Sequence, residues 1–318
     1  MKREIIFGFG FLMVFATSSC RKDPKIYPDA DCYDINYNPD YWTIHYSQPD
    51  TGRSYGRYNP NNENEICYFY GVRSSNITQL RRHNFSSGLD AAAFSGVVWS
   101  FRSYGINGWL IFNYGGSEIW KVKDNGDSLT RLTFDGQSLE PYWDWTGQKY
   151  IFRQDIGSSH RTIICNKDGQ HLDTIAGIYW HNGDWSNDNN MLVSIAFDNL
   201  KIYSFSSGVI STISGHGQGD SSKDGILDVA ISPDSRKIYW CNGWGIFYYD
   251  LLTGDSKQIQ TSCDARRFNS IDISPDGHTL LCNSTKQKIL DYNTNTVFIE
   301  AKMYTMKLDG SNCTEVQF

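Results

Sequence analysis

The sequence has no excess of positive charge, no long apolar run and no compact catalytic motif. Its 29 lysines and arginines are outnumbered by 35 aspartates and glutamates, giving a net charge of −6. Nucleic-acid surfaces draw their affinity from clustered cations, so no nucleic-acid partner is expected. The apolar run Ile5–Ala16 covers twelve residues (16 − 5 + 1), short of the ~20 that a spanning helix needs. There is no C-x-x-C pair, which leaves a metal–thiolate or thioredoxin-like site unsupported. G-x-S-x-G, H-E-x-x-H and Walker sequences are also missing. The glycine-rich stretch Gly215–Ser222 lies between two strands with no helix after it. It lacks the context of a phosphate cradle and reads as a loop. Seven histidines are scattered, with no pair at ligand spacing on one element. Metal ligation stays unknown, because only residues converging from distant segments would provide it.

What is present begins with an export signal. Lys2-Arg3 precedes the apolar run, which ends in Thr17-Ser18-Ser19-Cys20, the layout of a secretory signal. The segment resembles the lipobox of bacterial lipoproteins, with Thr17 where such boxes usually carry Leu. The resemblance implies that residues 1–19 are removed, that Cys20 is acylated, and that residues 20–32 form a tether. Membrane contact would then be through the lipid anchor only, held stably by more than one acyl chain. The acid-rich tail that marks some surface lipoproteins is absent, so the expected location is the periplasmic face of the outer membrane. The other reading is an ordinary cleaved signal with an incidental Cys. Cys32, Cys67, Cys165, Cys241, Cys263, Cys282 and Cys313 remain, an odd number, and most read as buried thiols. Their pairing stays open.

The rest of the chain is organised by a repeat. Ile231-Ser232-Pro233-Asp234 and Ile273-Ser274-Pro275-Asp276 each precede an apolar strand; Pro presets φ, and Ser or Asp caps the turn. Equivalent anchors are placed at Asn38, Ser100, Asp144, Ser186, Ser232 and Ser274. The last four intervals are 44, 42, 46 and 42 residues, and the first is 62. Downstream of most anchors come an alternating strand and a hairpin dipeptide such as Asp168-Gly169 or Thr253-Gly254. Six units of four antiparallel strands predict an all-β fold, a six-bladed β-propeller in which radial stacking covers both faces of each sheet. The single domain 33–318 divides into blades at about 33–82, 95–133, 139–176, 182–214, 226–261 and 268–318. The 15% aromatic content agrees with this.

Ser-Pro-Asp-Gly before an apolar strand, together with Met306-Lys307-Leu308-Asp309-Gly310, resembles the Pro-Asp propeller repeats of TolB-type proteins. The resemblance implies an architecture over most of 33–318. It implies no role, because the N-terminal α/β domain of TolB has no counterpart before the first blade. Acids recur near the start of the inner strand in five of the six blades: Asp34, Glu140 and Asp228 four residues before the anchor, Asp184 and Asp272 two before it. They read either as an acidic rim for a divalent cation or an amine, or as ties to backbone N–H groups between blades. Blades 1 and 6 look longer than the others, with extra residues at Ser47–Asn64 and Ser284–Ala301. Two such loops side by side would offer Tyr55, Tyr58, Tyr292 and Phe298 to a ligand. The expected function is a non-catalytic cell-envelope lipoprotein binding a protein, peptide or glycan. The alternative is a polysaccharide lyase or hydrolase at the channel mouth. No catalytic residue and no cofactor beyond that cation is predicted.

Overall fold

The computed structural model describes residues 43–44, 51–72, 77–214, 225–243, 245–261, 266–291 and 296–318. A short strand, β1 (Thr43–Ile44), precedes the first blade. Blade 1 is β2 (Thr51–Asn59), β3 (Asn62–Val72), β4 (Ile77–Asn84) and β5 (Asp90–Gly96). Blade 2 is β6 (Val98–Gly105), β7 (Trp109–Tyr114), β8 (Ile119–Lys123) and β9 (Thr130–Arg131). Blade 3 is β10 (Ser138–Trp143), β11 (Lys149–Ile156), β12 (Ser159–Asn166) and β13 (His171–Ile175). Blade 4 is β14 (Asp184–Trp185), β15 (Met191–Ala196), β16 (Asn199–Ser204) and β17 (Ile210–Ser214). Blade 5 is β18 (Asp228–Ile231), β19 (Lys237–Asn242), β20 (Gly245–Asp250) and β21 (Ser256–Thr261). Blade 6 is β22 (Arg266–Ile273), β23 (Thr279–Asp291), β24 (Thr296–Lys307) and β25 (Thr314–Glu315). The first strands of consecutive blades pack side by side, and β22 returns to β2. The expected six-bladed β-propeller is the fold.

Position within a blade dictates composition. The second strands, such as Met191-Leu-Val-Ser-Ile-Ala and Lys237-Ile-Tyr-Trp-Cys-Asn, are covered on both faces by neighbouring blades and are nearly continuous apolar runs. The outer strand β17 is exposed almost throughout and is rich in Ser and Thr. The core lies in six clusters, mostly between blades: Val193, Ile195 and Leu200 of blade 4 pack on Val229, Ile231 and Trp240 of blade 5. Cys67, Cys165, Cys241 and Cys282 are buried thiols, and burial pushes each of them up in pKa.

The anchor turns share one mechanism. The N–H three residues on donates to the anchor carbonyl, as Ser235 to Ser232 at 2.7 Å and Gly277 to Ser274 at 2.8 Å. In the Ser-Pro-Asp turns the anchor hydroxyl donates to the Asp carboxylate and accepts the N–H that opens the next strand. The distances are 2.6 and 2.8 Å at Ser232, and 2.5 and 2.9 Å at Ser274.

Two anchors differ from expectation. The first-blade turn is Asn59-Pro60-Asn61, where Asn59 pairs with Asn62; the expected anchor Asn38-Pro39-Asp40 lies outside the described residues. The second is Gly105, whose carbonyl accepts from Gly108 N–H, rather than Ser100. A Cβ at Gly105 would sit 3.0 Å from Trp143 Cδ1 and 3.2 Å from the Trp109 carbonyl, so the serine of other blades would have to push these neighbours back by a few tenths of an ångström. Corrected anchors at 59, 105, 144, 186, 232 and 274 give intervals of 46, 39, 42, 46 and 42, and the 62-residue gap disappears. Blade 1 therefore runs over 51–96 rather than 33–82. Ser47–Asn64 is not an inserted loop, since it contains the inner strand β2. Residues 284–291 and 296–301 extend the pairing of β23 and β24, and β1 pairs in parallel with β24 at Thr296 and Val297.

Candidate functional site

The channel is built from side chains near the ends of the inner strands. Arg57 on β2 reaches across it: Nη2 donates to Asp228 Oδ2 at 2.8 Å, Nη1 to the Ile271 carbonyl at 2.6 Å, and Nε to the Arg102 carbonyl at 2.9 Å. Arg102 Nη1 lies 3.5 Å from the other Asp228 oxygen, and its guanidinium covers the Tyr55 ring at 4.5 Å. Burial opposes the Arg57 charge, but Asp228 and Asp272 outweigh it and raise its pKa further. The buried acids tie blade to blade. Asp184 accepts from Ile231 N–H at 2.6 Å, Asp228 from Ile271 N–H at 3.1 Å, and Asp272 from Tyr58 N–H at 2.6 Å. Ser103 does the same for Trp143 N–H at 3.1 Å. Burial raises Asp184 to about 6 and Asp272 to about 7. Beyond this layer a cavity of about 50 Å³ opens on the anchor-turn side. It has room for a few waters, against about 300–1,000 Å³ for an ordinary small-molecule pocket. The channel is a polar core with one small cavity.

The opposite face carries a different chemistry. Inner strands start there, hairpins between second and third strands turn there, and inter-blade connections arrive there. Trp99 at the start of β6 is 70% exposed, Phe134 between blades 2 and 3 is 75%, Tyr179 between blades 3 and 4 is 41%, and Phe197 in the β15–β16 hairpin is 66%. Apart from Phe318, these are all the exposed aromatics among the described residues. Phe197 has φ of 58°, a conformation that costs a side-chain-bearing residue ~1–2 kcal/mol. Around Tyr179 lies a polar cluster. Arg153 Nη1 donates to Glu140 Oε1 at 3.2 Å and Nε to Asp155 Oδ1 at 2.9 Å. His181 Nδ1 sits 3.0 Å from Glu140 Oε1, and His160 Nδ1 sits 2.7 Å from Asp155 Oδ1. Burial works against the Glu140 charge, but the His181 hydrogen bond and Arg153 hold its pKa below the ordinary range. The His160 ring meets Tyr179 at 4.8 Å, and Arg153 lies under the same ring at 5.2 Å. The result is a Tyr179 ring flanked by carboxylates and imidazoles, on the same face as the exposed Trp99, Phe134 and Phe197.

The residues singled out from sequence divide accordingly. Asp228 and Asp272 lie in the channel as inter-blade ties, and Tyr58 is buried in the core beside Ile66 and Met303. Tyr55 sits in a bulge of β2 at φ of 53°, beneath Arg102. Cys20, Asp34 and Tyr292 lie outside the described residues, and Phe298 falls on β24 opposite Lys288. Arg57, Arg102 and the four exposed aromatics were not anticipated. With Asn59 as anchor, Arg57 stands two residues before it, a lone cation where Asp184 and Asp272 stand in their blades. Among the described residues no group of three or more His, Cys, Asp or Glu is placed to hold a metal ion.

No protein-family model matches the chain, and no curated protein is significantly similar to it. Solved structures do match. A TolB-type structure from Agrobacterium tumefaciens superposes with a TM-score of 0.56 at 18% identity, over 74% of this chain and 86% of that one. TolB from Acinetobacter baumannii gives 0.57 at 14%, over 81% of this chain and 62% of that one. A chain of a nidogen/laminin complex gives 0.54 at 12%, over 75% and 89%. Identities this low speak to architecture, and with the six closed blades they make the chain a TolB-like six-bladed β-propeller.

Proposed function

We propose that this protein is a non-catalytic binding module of the bacterial cell envelope, docking a protein, peptide or glycan on the face where its inner strands start. The observation that carries the reading is the segregation of exposed Trp99, Phe134, Tyr179 and Phe197 onto that face. Aromatic rings held on a rigid scaffold give large contact area at little entropic cost. Phe197 occupies a positive-φ position that glycine would fill without strain, and strain kept on an exposed side chain points to a surface role. A propeller of the same fold is found in a nidogen/laminin complex, which supports a protein partner. Phe197→Gly and Trp99→Ala should weaken capture of an envelope protein or immobilised glycan at least tenfold. The melting midpoint of Phe197→Gly should stay within a few degrees of wild type. Undiminished capture by both variants would sink the assignment.

The envelope placement rests on Cys20 and the segment before it. Lipidation there predicts that Cys20→Ala moves the protein from the membrane fraction to the soluble one, and a variant that stays membrane-bound would refute it. The lyase or hydrolase alternative has one supporting feature, the pairing of His160 and His181 with carboxylates beside Tyr179. It requires turnover of an acidic polysaccharide that His181→Ala abolishes.

A further inference from the structure

Four blade junctions open into wedges on the anchor-turn face, and these four differ in charge. The wedge between blades 6 and 1 has Glu63, Asp276 and Glu315 and no Lys or Arg. Between blades 5 and 6, Asp234, Asp276 and Asp309 face Lys237 and Lys257. Between blades 3 and 4, Asp144 and Asp173 face Lys149. The wedge between blades 2 and 3 reverses the pattern. Lys121, Lys123 and Lys167 line it against Asp168 alone, in a chain whose net charge is −6.

We propose that this wedge binds a compact oxyanion, a phosphate, sulfate or carboxylate group carried by a small molecule or a glycan. Three observations support it. First, the wedge holds about 460 Å³, room for an anionic group and the sugar or chain that bears it. Second, its cations are fixed in place. Lys121 and Lys123 lie two apart on β8, with their ammonium groups 4.9 and 4.6 Å from the centroid of the Trp109 ring. Lys121 donates to the Lys167 carbonyl at 2.5 Å and Lys123 to the Asn107 carbonyl at 2.6 Å. An ammonium has three N–H donors, so both keep capacity for a ligand.

Third, the wedge is short of acceptors. The Lys121 side chain is only 10% exposed, yet the nearest carboxylate oxygen, on Asp168, is 3.7 Å away. Burial lowers its pKa more than Asp168 raises it, as expected of a desolvated ammonium with too little negative charge nearby. Trp143, 3% exposed and lining both the wedge and the channel cavity, has a buried indole N–H with no acceptor among the described atoms. Trp185 carries the same unpaired N–H at the equivalent place in the next wedge, but there Lys149 is the only lysine. Of these four wedges, the one between blades 2 and 3 alone combines an unpaired donor with three lysines.

The inference stands apart from the aromatic face, which lies on the other side of the molecule. Phosphate, sulfate and acetate would be titrated into the full-length protein at constant ionic strength made up with chloride. The Trp143 indole N–H resonance, assigned with Trp143→Phe, would be followed. A saturable shift with at least one oxyanion is expected, and the preferred one, tetrahedral or carboxylate, identifies the natural group. Lys121→Met and Lys123→Gln should each weaken binding at least tenfold. Lys257→Met, in the acidic wedge, and Phe197→Gly should leave it unchanged. Lys123 is the less buried of the pair, so its variant keeps the test open if Lys121→Met fails to fold. Linear shifts no larger than those with chloride, or saturable binding that both lysine variants retain, would overturn the proposal.

Discussion

Asp272 shows what a buried channel carboxylate costs and contributes. One of its oxygens takes the Tyr58 N–H and so ties blade 6 to blade 1. Burial raises its pKa from 3.8 to about 7; Arg57 and the tie lower it, while the Asp184 charge adds to the rise. A carboxyl whose folded pKa lies above its unfolded one stabilises the fold fully below the unfolded pKa. That contribution is lost as pH rises through the folded value. Asp272→Asn keeps an acceptor for Tyr58 N–H and removes the titration. Relative to wild type, the variant should therefore gain stability between about pH 4 and pH 7, measured as the difference in urea midpoints. Parallel pH profiles would show that the carboxyl titrates as it does in the unfolded chain. Arg57 works by the same logic from the other side. It satisfies Asp228 and two carbonyls at once, which a smaller or neutral residue would leave buried and unpaired.

At the scale of strands and turns, the inner-strand position before each anchor sets the packing. Ile231 is 3% exposed within the cluster between blades 4 and 5, whereas Lys257 on β21 is exposed. Truncating a fully buried Ile to Ala costs about 2–5 kcal/mol including the cavity left behind. Ile231→Ala should lower the unfolding midpoint clearly and Lys257→Ala should leave it in place, by thermal or urea denaturation. Comparable losses would mean that the two strands had been placed wrongly. The same elements show what was legible. Ser-Pro-Asp turns and apolar second strands are local signals, and they identified six four-stranded blades. Asn38-Pro39-Asp40 matches the Pro-Asp pattern better than Asn59-Pro60-Asn61, and nothing local reveals which Pro turn follows an inner strand. Gly105 was hidden for a packing reason, the Trp143 ring beside its Cα. The acids were legible as a set, but only the ring shows that Asp184, Asp228 and Asp272 spend their oxygens on the next blade. Phe134 and Phe197 look like any aromatic in an apolar-rich chain until the loop ends are gathered on one face.

A ring of blades must close, and here the seam lies between blades 6 and 1: the four core strands of each blade are consecutive in the chain, and β1, which precedes blade 1, adds itself in parallel to β24 of blade 6. Three further contacts close it. Asp272 and Arg57 join the inner strands through the Tyr58 N–H and the Ile271 carbonyl. Gly56 lets β2 approach so closely that a Cβ there would stand 2.7 Å from Leu281 Cδ2. The residues after β25 then cross to blade 1. Val316 joins Tyr58, Ile66 and Tyr68 in one apolar cluster. The Phe318 ring sits 4.9 Å from Tyr68 and 4.8 Å from His83, with Arg53 over it at 4.4 Å. Aromatic pairs contribute about 0.5–1.5 kcal/mol each and an exposed cation–π contact about 0.5–1. Phe318→Ala should therefore cost about 1–3 kcal/mol. The loss should be local, because the latch holds only one junction of six. Amide hydrogen exchange is the measurement that separates local from global effects. β3, β4 and β24 should exchange about tenfold faster or more in the variant, while β11 and β15, in blades 3 and 4 on the far side of the ring, change little. Uniform acceleration in all six blades would mean that the seam opens only with the whole molecule. No acceleration at all would mean that the Asp272 and Arg57 ties close the ring without the tail.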